Sequence, residues 1–286
     1  MRSTACIKHI EHLLSATVKA TTPVFGGDIS QAYKIETKNG LYFLKLNCSD
    51  KHHMFQTEAI GLELISSTNT IKTPKVLAHG CVEASAFLLM EYIEPKTPSA
   101  SDLKKLAIQL AALHKCTHKA FGLEHNNFIG SLNQSNATHH TWLDFYTQER
   151  LLPQFNLAIT KGLLNAKETP SPAKLKDTLK PWFKTVKPSL LHGDLWHGNF
   201  IISKQGIPYL IDPAVYYGHN EVDIALSKLF GGFHTTFYDS YFKTYPPDTH
   251  TTARIELYQL YYLLAHLNMF GTSYYQSVKN TLLKYF

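Results

Sequence analysis

A run of eleven residues, "LLHGDLWHGNF" at positions 190–200, places a carboxylate and a carboxamide between two apolar ends. Asp194 and Asn199 are too polar for a buried strand, whereas Leu190, Leu191 and Phe200 are more apolar than a surface loop needs. Such a segment is typical of a loop that is held in place by apolar contacts and carries chemically active side chains. It constrains the fold strongly, because the elements on both sides of the loop have to form a packed core.

The spacing Asp-x-x-x-x-Asn in this run is that of the catalytic loop of protein kinases, where the aspartate accepts a hydroxyl proton and the asparagine binds magnesium. Thirteen residues after Asn199, the short strand "YLI" leads to Asp212. A second carboxylate at that point is where such a site needs its main magnesium ligand. Mg²⁺ prefers oxygen ligands and stays partly hydrated, so one carboxylate, one carboxamide and nucleotide phosphates suffice.

An independent pattern lies near the amino terminus. Lys45 is inside the apolar strand "YFLKLN", and Glu58 is in the next helix, "TEAIGLEL". Phosphoryl transfer uses a strand lysine on the α- and β-phosphates, held by a helix carboxylate. Taken singly, the two residues fit an edge-strand lysine and a solvated helix glutamate equally well. Their order before Asp194, Asn199 and Asp212 favours a phosphate-anchoring pair.

Two weaker patterns complete a candidate nucleotide site. "FGGDIS" is not G-x-G-x-x-G, but the N–H groups of a turn before a hairpin can cover phosphates. The residues assigned to this glycine loop are Gly26, Gly27, Asp28, Ile29 and Ser30. The strand "LLMEYIE" changes from apolar to polar, as a strand entering a hinge does, and the alternative is a plain core strand. The residues assigned to adenine contact are Met90, as a gatekeeper, and Glu91, Tyr92 and Ile93.

Periodicity divides the chain into two parts. "AYKIET" and "LYFLKL" flank an Asn-Gly turn, which is a strong hairpin signal, and two further strands and two helices are predicted before residue 94. Beyond it, apolar residues recur at helical spacing in "SASDLKKLAIQLAALHK", "TWLDFYTQERLLPQF", "EVDIALSKLF" and "RIELYQLYYLLAHLNMF". We therefore predict an α+β fold with two lobes and a cleft between them. Residues 1–93 would form the nucleotide-binding lobe, and residues 94–286 would form a mainly helical lobe for catalysis and substrate binding.

Composition limits the class of protein. No window approaches the roughly 18 apolar residues of a membrane span, and the four scattered cysteines indicate free thiols in a reducing cytoplasm. The lysines of "KLKDTLKPWFKTVK" lack a nucleic-acid-binding signature and indicate a solvated helix face. His114 and His118 flank Cys116, but no further ligand group completes a zinc site. We expect a monomeric cytoplasmic protein with no nucleic-acid or membrane partner.

Two polar residues each have two interpretations. His192, two residues before Asp194, either takes part in catalysis or braces the loop by hydrogen bonds. Asp223, in the helix after "YYGHNE", either binds a cationic substrate or holds the backbone of the catalytic loop.

With these motifs, the chain resembles the fructosamine kinases, or ketosamine-3-kinases, in the aminoglycoside-phosphotransferase and choline-kinase branch of the protein-kinase-like fold. The resemblance spans nearly the whole chain and rests above all on "LLHGDLWHGNF" and "DPAVYYGHNE", with support from "FGLEHNNFIGSLNQ", "WLDFYTQERLLPQ" and "FGGF". It implies a bilobal fold with a small antiparallel sheet. It also implies ATP- and Mg²⁺-dependent phosphorylation of the 3-hydroxyl of ribulosamine, erythrulosamine or fructosamine adducts of amines or protein lysines, followed by spontaneous deglycation.

The resemblance implies roles for individual residues. Asp194 looks like the base, Asn199 and Asp212 look like the magnesium ligands, and Lys45 and Glu58 look like the phosphate-anchoring pair. The residues assigned to substrate contact are Trp196, His192, Tyr217 and His219. Some relatives carry a cysteine where Asp28 stands, so a disulfide at that loop is not expected here.

Two other functions stay open. A kinase of an aminoglycoside or a choline-like amine would need an acidic carboxyl-terminal part, and this part is not notably acidic. A nucleotide-binding pseudokinase that acts as a scaffold would normally lack Lys45, Asp194 or Asp212, and all three are present.

Overall fold

The computed structural model describes residues 4–25, 30–183 and 185–286. The chain forms two compact units. The first comprises Met1–Asp102 and Gly198–Pro213, and the second comprises Leu103–His197 and Ala214–Phe286. The first unit therefore contains the segment with Asn199 and Asp212 in addition to residues 1–93. The predicted assignment of nucleotide binding to residues 1–93, and of catalysis and substrate binding to residues 94–286, stays a prediction.

The first unit contains a five-stranded antiparallel sheet in the order β1-β2-β3-β5-β4. Its strands are β1 (Val18–Val24), β2 (Gln31–Thr37), β3 (Gly40–Cys48), β4 (Val76–Val82) and β5 (Ser85–Glu91). Thr37 pairs with Gly40 across a two-residue loop, so the predicted hairpin at Asn39-Gly40 is confirmed. Gly40 has a φ of +139°, a conformation that side chains with a Cβ rarely adopt.

Strand β1 differs from the prediction, in which its last residues belonged to a turn. Its sequence, "VKATTPV", has a weak apolar pattern and contains Pro23. The strand lies at the edge of the sheet, where a proline removes no ladder hydrogen bond that a second neighbour would need. An edge strand buries little surface, so the alternation that reveals a central strand is missing.

The two faces of this sheet pack against two different helices. On one face, Leu44 and Leu46 pack with Cys6 and Ile10 of helix α1 (Thr4–Leu14). On the other face, Leu88 and Met90 of β5 pack with the apolar side of helix α2 (His52–Ser67). Successive side chains of a strand point to opposite faces. Lys45, between Leu44 and Leu46, is therefore directed to the face that α2 covers.

The second unit is mainly helical. Its helices are α3 (Ala100–Leu113, which begins in the first unit), α4 (Trp142–Phe145), α5 (Leu152–Thr160), α6 (Pro172–Leu179), α7 (Glu221–Leu229), α8 (Thr235–Tyr241), α9 (Thr251–Phe270) and α10 (Tyr275–Tyr285). A π-helical segment, Tyr146–Leu151, joins α4 to α5. It contains a fully buried arginine, Arg150, whose guanidinium lies 3.9 Å from the ring centre of Tyr216 and donates to Ser135 and Asn136.

Short strand pairs carry the motif residues. In the first unit, β9 (Phe200–Ile202) pairs with β10 (Pro208–Leu210). In the second unit, β8 (Ser189–Leu191) pairs with β11 (Tyr216–Gly218), and β6 (Asn127–Ile129) pairs with β7 (Leu132–Gln134). All three pairs are antiparallel.

The cysteines are free thiols, as the sequence predicts. Cys6 is buried, Cys116 is half-buried, and Cys48 and Cys81 are exposed. Within the three described ranges, no helix combines the length and the apolar character that crossing a membrane requires.

Candidate active site

Three charged side chains of the first unit form one ion-pair network. The ammonium of Lys45 donates to Oε1 of Glu58 at 2.8 Å and to Oδ1 of Asp212 at 2.5 Å. Lys45 lies in the middle of β3, and Glu58 lies on the helix that covers this face of the sheet. The network joins residues that are 13 and 167 positions apart in the chain. Two carboxylates share one ammonium, so the network carries net negative charge whenever Glu58 is ionised.

Burial and charge act together on this network. Burial alone would lower the pKa of Lys45, but the carboxylates of Asp212 and Glu58 raise it above its usual value. Burial, together with repulsion from Asp212, raises the pKa of Glu58 to about 7. The attraction of Lys45 lowers this pKa but only partly offsets the rise. The lysine therefore stays charged, whereas Glu58 is protonated more easily than an ordinary glutamate.

The hairpin β9–β10 places Asn199 and Asp212 at the same end of the first unit's second sheet. Asn199 precedes β9, Asp212 follows β10 by two residues, and the backbone N–H of Ile211 donates to the carbonyl of Asn199 at 3.1 Å. Asn199 is buried, and the side chain of Asp212 is 40% exposed. Asp212 has a φ of +53°, the left-handed region that aspartate and asparagine tolerate better than most residues. Such a conformation is often associated with a functional site.

Asp194 follows strand β8 in the second unit, on a loop that Asp223 holds. The carboxylate of Asp223 accepts hydrogen bonds from the backbone N–H groups of His192 and Gly193, both at 2.8 Å. The hydroxyl of Tyr262 donates to the carbonyl of Gly193 at 2.8 Å. Asp194 itself is half-buried, on a loop whose backbone these bonds hold in place.

Gly193 is the one loop position where glycine is required. Its φ is +83°, and a Cβ at this residue would collide with the carbonyl oxygen of Ala214. The carbonyl of His192 accepts from the N–H of Ala214 at 2.8 Å, so β8 and the chain after Asp212 run side by side at this point.

Of the two interpretations of Asp223, the structure supports backbone support of the loop. Its side chain is completely buried and also bonds Nε2 of His114 at 3.0 Å. Burial acts to raise the pKa of Asp223, but the hydrogen bonds from His114 and from Gly193 hold it below its usual value. His114, which a zinc site would have used, instead bonds Asp223 and the hydroxyl of Tyr241.

We expect Asp223→Ala to lower the free energy of unfolding by about 3 kcal/mol or more, since it strands two buried N–H donors and His114. Urea unfolding measures this loss. Asp239→Ala, in the exposed part of α8, is the matched control and should change stability little. Equal stabilities of the two variants would show that Asp223 does not support the loop.

The residues assigned to substrate contact fall into two groups. Trp196 is half-buried, two residues beyond Asp194, and its ring meets that of His197 edge-on with centroids 4.8 Å apart. His192 is completely buried, and its Nδ1 accepts from the N–H of Asp194 at 3.2 Å. This position favours the bracing role of His192 over contact with a substrate.

Tyr217 pairs with Leu190 in the middle of the β8–β11 pair, and His219 follows Gly218, which pairs with Ser189. Tyr217 stacks on His118 with ring centroids 4.8 Å apart, and Nδ1 of His219 lies 2.7 Å from the hydroxyl of Tyr258. Both side chains therefore have structural partners within the second unit, and their contact with a substrate stays a prediction.

His219 makes the stability of the protein sensitive to acid. Burial, together with the nearby charge of Arg254, lowers the pKa of His219 from 6.5 to about 3. The unfolded chain takes up a proton near pH 6.5 and the folded chain does not, so the free energy of unfolding falls as the pH drops from 6.5 towards 3. The slope is about 1.4 kcal/mol per pH unit for this one group.

We expect His219→Gln to unfold in urea with a smaller loss of stability between pH 7.5 and pH 5 than the wild type, by about 2 kcal/mol. Glutamine keeps a polar atom for Tyr258 but takes up no proton. His12→Gln, on the exposed side of α1, is the control and should keep the wild-type pH dependence. An unchanged pH dependence in His219→Gln would contradict the assignment.

The residues assigned to adenine contact are the last two residues of β5 and the two residues that follow it. Met90 is buried and pairs with Phe43 and Val76, and the N–H of Glu91 donates to the carbonyl of Lys75 at 2.9 Å. The N–H of Glu91 is thus already used by the sheet. The ammonium of Lys34 lies over the ring of Tyr92, 5.3 Å from the ring centre. Ile93 is buried.

Most of the assigned glycine loop, Gly26, Gly27, Asp28 and Ile29, lies outside the described residues. Ser30 is described, and its hydroxyl accepts from the amide of Asn47 at 3.1 Å.

Sequence reasoning did not identify two amides that hold the chain just after Asp212. The amide of Asn127 donates to the carbonyl of Val215 at 2.8 Å, and Gln134 donates to Asn127 at 2.7 Å. The hydroxyl of Tyr261 donates to Gln134 at 2.6 Å. Both amides lie in "NNFIGSLNQ", a polar segment whose two buried amides give no periodic signal.

Comparison with known proteins gives a family. The model of the family described as fructosamine kinase matches residues 2–286. A protein from Enterococcus faecium, named as a probable ketoamine kinase, is 40% identical over 264 residues, which cover 91% of this chain and 93% of that protein. The chloroplastic protein-ribulosamine 3-kinase of Arabidopsis thaliana is 38% identical over 259 residues, 89% of this chain and 78% of that protein.

Solved structures give the fold. A candidate fructosamine-3-kinase from Haemophilus somnus 129PT has a TM-score of 0.88 at 28% identity and covers 98% of this chain and 96% of its own. A choline kinase from Streptococcus pneumoniae has a TM-score of 0.62 at 19% identity, with 98% of each chain covered. The predicted α+β, protein-kinase-like fold is therefore confirmed. Since the family model matches nearly the whole length, the chain belongs to the fructosamine kinase family.

Proposed function

We propose that this protein transfers the γ-phosphoryl group of ATP to the 3-hydroxyl of ketoamines. The observation that carries the proposal is the network in which Lys45 bonds both Glu58 and Asp212. Kinases use such a lysine–glutamate pair to position phosphates, with a nearby aspartate for the metal ion. Membership of the fructosamine kinase family, and the relatives named ketoamine and ribulosamine kinases, supply the acceptor.

Lys45 is the proposed anchor of the ATP phosphates. Its ammonium stays charged, and Glu58 limits its movement from the helix side. When ATP binds, the phosphates compete with Asp212 for the ammonium, while Glu58 keeps the lysine aligned. Glu58 is thus proposed to act on the nucleotide through Lys45 rather than by contact. The glycine loop at 26–30 and the segment Met90–Ile93 stay proposed contacts of the nucleotide.

Asp212 and Asn199 are the proposed magnesium ligands. The donor set fits this ion, because both side chains offer hard oxygen atoms from the same end of one hairpin, and the exposed carboxylate lies in a network of net negative charge. Mg²⁺ bound there would neutralise charge on the transferring phosphate oxygens. With Mg²⁺ bound, the carboxylate of Asp212 would exchange its bond to Lys45 for a bond to the metal ion.

Asp194 is the proposed base. Its carboxylate accepts the proton of the 3-hydroxyl as that oxygen forms a bond to the γ-phosphorus, and the bond from phosphorus to the β-phosphate oxygen breaks to leave ADP. Asp223, His192 and Tyr262 hold the loop so that the carboxylate needs little reorganisation. Trp196 is proposed to pack its indole on the C–H face of the sugar, which leaves the hydroxyls free.

The phosphorylated position has a chemical consequence. Enolisation towards C1 makes the 3-phosphate an allylic leaving group, so inorganic phosphate departs with its bonding electrons. Water then hydrolyses the resulting imine to a 3-deoxyosone and the free amine. The protein is therefore proposed to start the removal of sugar from amines, with small ketoamines or glycated protein lysines as substrates and with the monomer as the active form.

Formation of ADP tests the proposal against the two alternatives. With Mg-ATP present, ribulosyl-, erythrulosyl- or fructosyl-lysine should stimulate ADP release, whereas an aminoglycoside and choline should not. Turnover with the aminoglycoside or with choline, but with none of the ketoamines, would show that the acceptor is not a ketoamine. Binding of ATP without turnover on any acceptor would favour a scaffold.

A further inference from the structure

Four aromatic rings of the second unit form a group that the proposed reaction does not yet use. The ring of His266 lies 4.6 Å from that of Phe230, 5.5 Å from that of Phe270 and 5.1 Å from that of Tyr274, measured between centroids. We call these four residues the aromatic patch. Phe270 is 51% exposed, and the other three are half-buried. The patch therefore presents ring surface to solvent.

The patch continues the helix that holds the catalytic loop. Tyr262 of α9 donates to the carbonyl of Gly193, next to Asp194, and its own carbonyl lies 2.8 Å from Nδ1 of His266. Residues four apart on a helix are neighbours on one side. His266 and Phe270 thus follow Tyr262 by one and two turns, about 6 and 12 Å along the axis.

The turn after α7 explains why "FGGF" is a motif. Gly231 and Gly232 have φ values of +85° and +71°, which other residues rarely adopt. A Cβ on Gly231 would meet no atom within 4 Å, so the requirement is for the backbone conformation and not for space. This tight turn sets Phe230 against His266.

The patch is neutral as well as aromatic. Burial lowers the pKa of His266, so its imidazole is uncharged at neutral pH, and Phe230 and Phe270 have no ionisable group. A neutral aromatic surface packs well against an apolar alkyl chain.

We infer that the aromatic patch binds the alkyl chain of the amine that carries the sugar. The inference rests on the proposed function. In a ketoamine the nitrogen is attached to C1, two carbons from C3, so with the 3-hydroxyl at Asp194 the carrier begins close to the loop and leads away from it. A lysine carrier continues as a flexible four-carbon stem, which packs along apolar surfaces. The patch begins one helical turn beyond Tyr262, the residue of α9 that holds the loop.

Ketoamines whose amine carriers differ in length test whether the aromatic patch binds the carrier. The ribulosyl derivatives of methylamine, propylamine and pentylamine differ only in methylene groups. For the wild type, kcat/KM should rise about two- to fourfold per added methylene. In Phe270→Ala, the KM for the pentylamine derivative should rise about tenfold while that for the methylamine derivative stays nearly unchanged. Tyr274→Ala should show the same selective effect.

Leu283→Ala is the control, because Leu283 is 76% exposed on α10 and belongs to no part of the patch. Its KM values should match the wild type for all three carriers. The inference is overturned if Phe270→Ala and Tyr274→Ala change the KM for the short and the long carrier equally, or if the wild type does not distinguish carrier lengths. If the wild type phosphorylates none of the three, the proposed function fails and the inference fails with it.

Discussion

Asp194→Asn is expected to lower kcat by about 10²–10⁴-fold while the Kd for ATP stays near the wild-type value. The amide is nearly the same size as the carboxylate but cannot accept the hydroxyl proton. The loop should keep its shape, because Asp223 and Tyr262 bind its backbone. Steady-state kinetics with a ketoamine and calorimetric titration with ATP give the two quantities.

Asp177→Asn is the matched control for this loss, since Asp177 is an exposed aspartate of α6 in the same unit. Its kcat should equal that of the wild type. An Asp194→Asn variant that retains half of the wild-type kcat would remove Asp194 from the mechanism.

Asp212→Asn should weaken binding of Mg-ATP and turnover together. The variant loses a charged metal ligand and one partner of Lys45, so the Kd for Mg-ATP should rise by about tenfold or more, equivalent to about 1.4 kcal/mol. Asparagine is the informative substitution, because it tolerates the left-handed backbone at this residue, where φ is +53°. Alanine would add backbone strain to the loss of the ligand.

The contrast with Asp194→Asn separates the two roles. Titration with Mg-ATP, and with ATP in the presence of a chelator, should show that Asp212→Asn loses mainly the magnesium-dependent part of the affinity. Lys45→Met should weaken binding of ATP under both conditions. Normal Mg-ATP binding by Asp212→Asn would show that the metal assignment is wrong.

Local patterns predicted the parts of the fold that depend on neighbouring residues. The Asn39-Gly40 pair predicted the β2–β3 hairpin, which has a two-residue loop and Gly40 at a positive φ. The alternation around Lys45 gave its strand, and the buried leucines on either side turn the lysine to the helix-covered face. Its encounter with Glu58 follows from that alternation and from the helix that comes next in the chain.

Other parts depend on distant residues and had no local signal. Strand β1 is stabilised by its pairing with β2, although its own sequence contains Pro23. The burial of His219 against Tyr258, 39 residues away, depends on how α9 packs. The role of Asp223 also depends on distant residues. Its bonds to the N–H groups of His192 and Gly193, about 30 residues earlier, show which of the two interpretations applies.

Phosphorus NMR of the reaction tests the central claim most directly. With ribulosyl-lysine and Mg-ATP, the account predicts a new sugar phosphate ester bonded to C3, which then declines as inorganic phosphate and free lysine amine appear without further enzyme. Removal of the protein by filtration once the ester has formed should leave that decay rate unchanged. A stable ester on a terminal hydroxyl, or a lack of any ester while ATP is consumed, would contradict phosphorylation at the 3-hydroxyl.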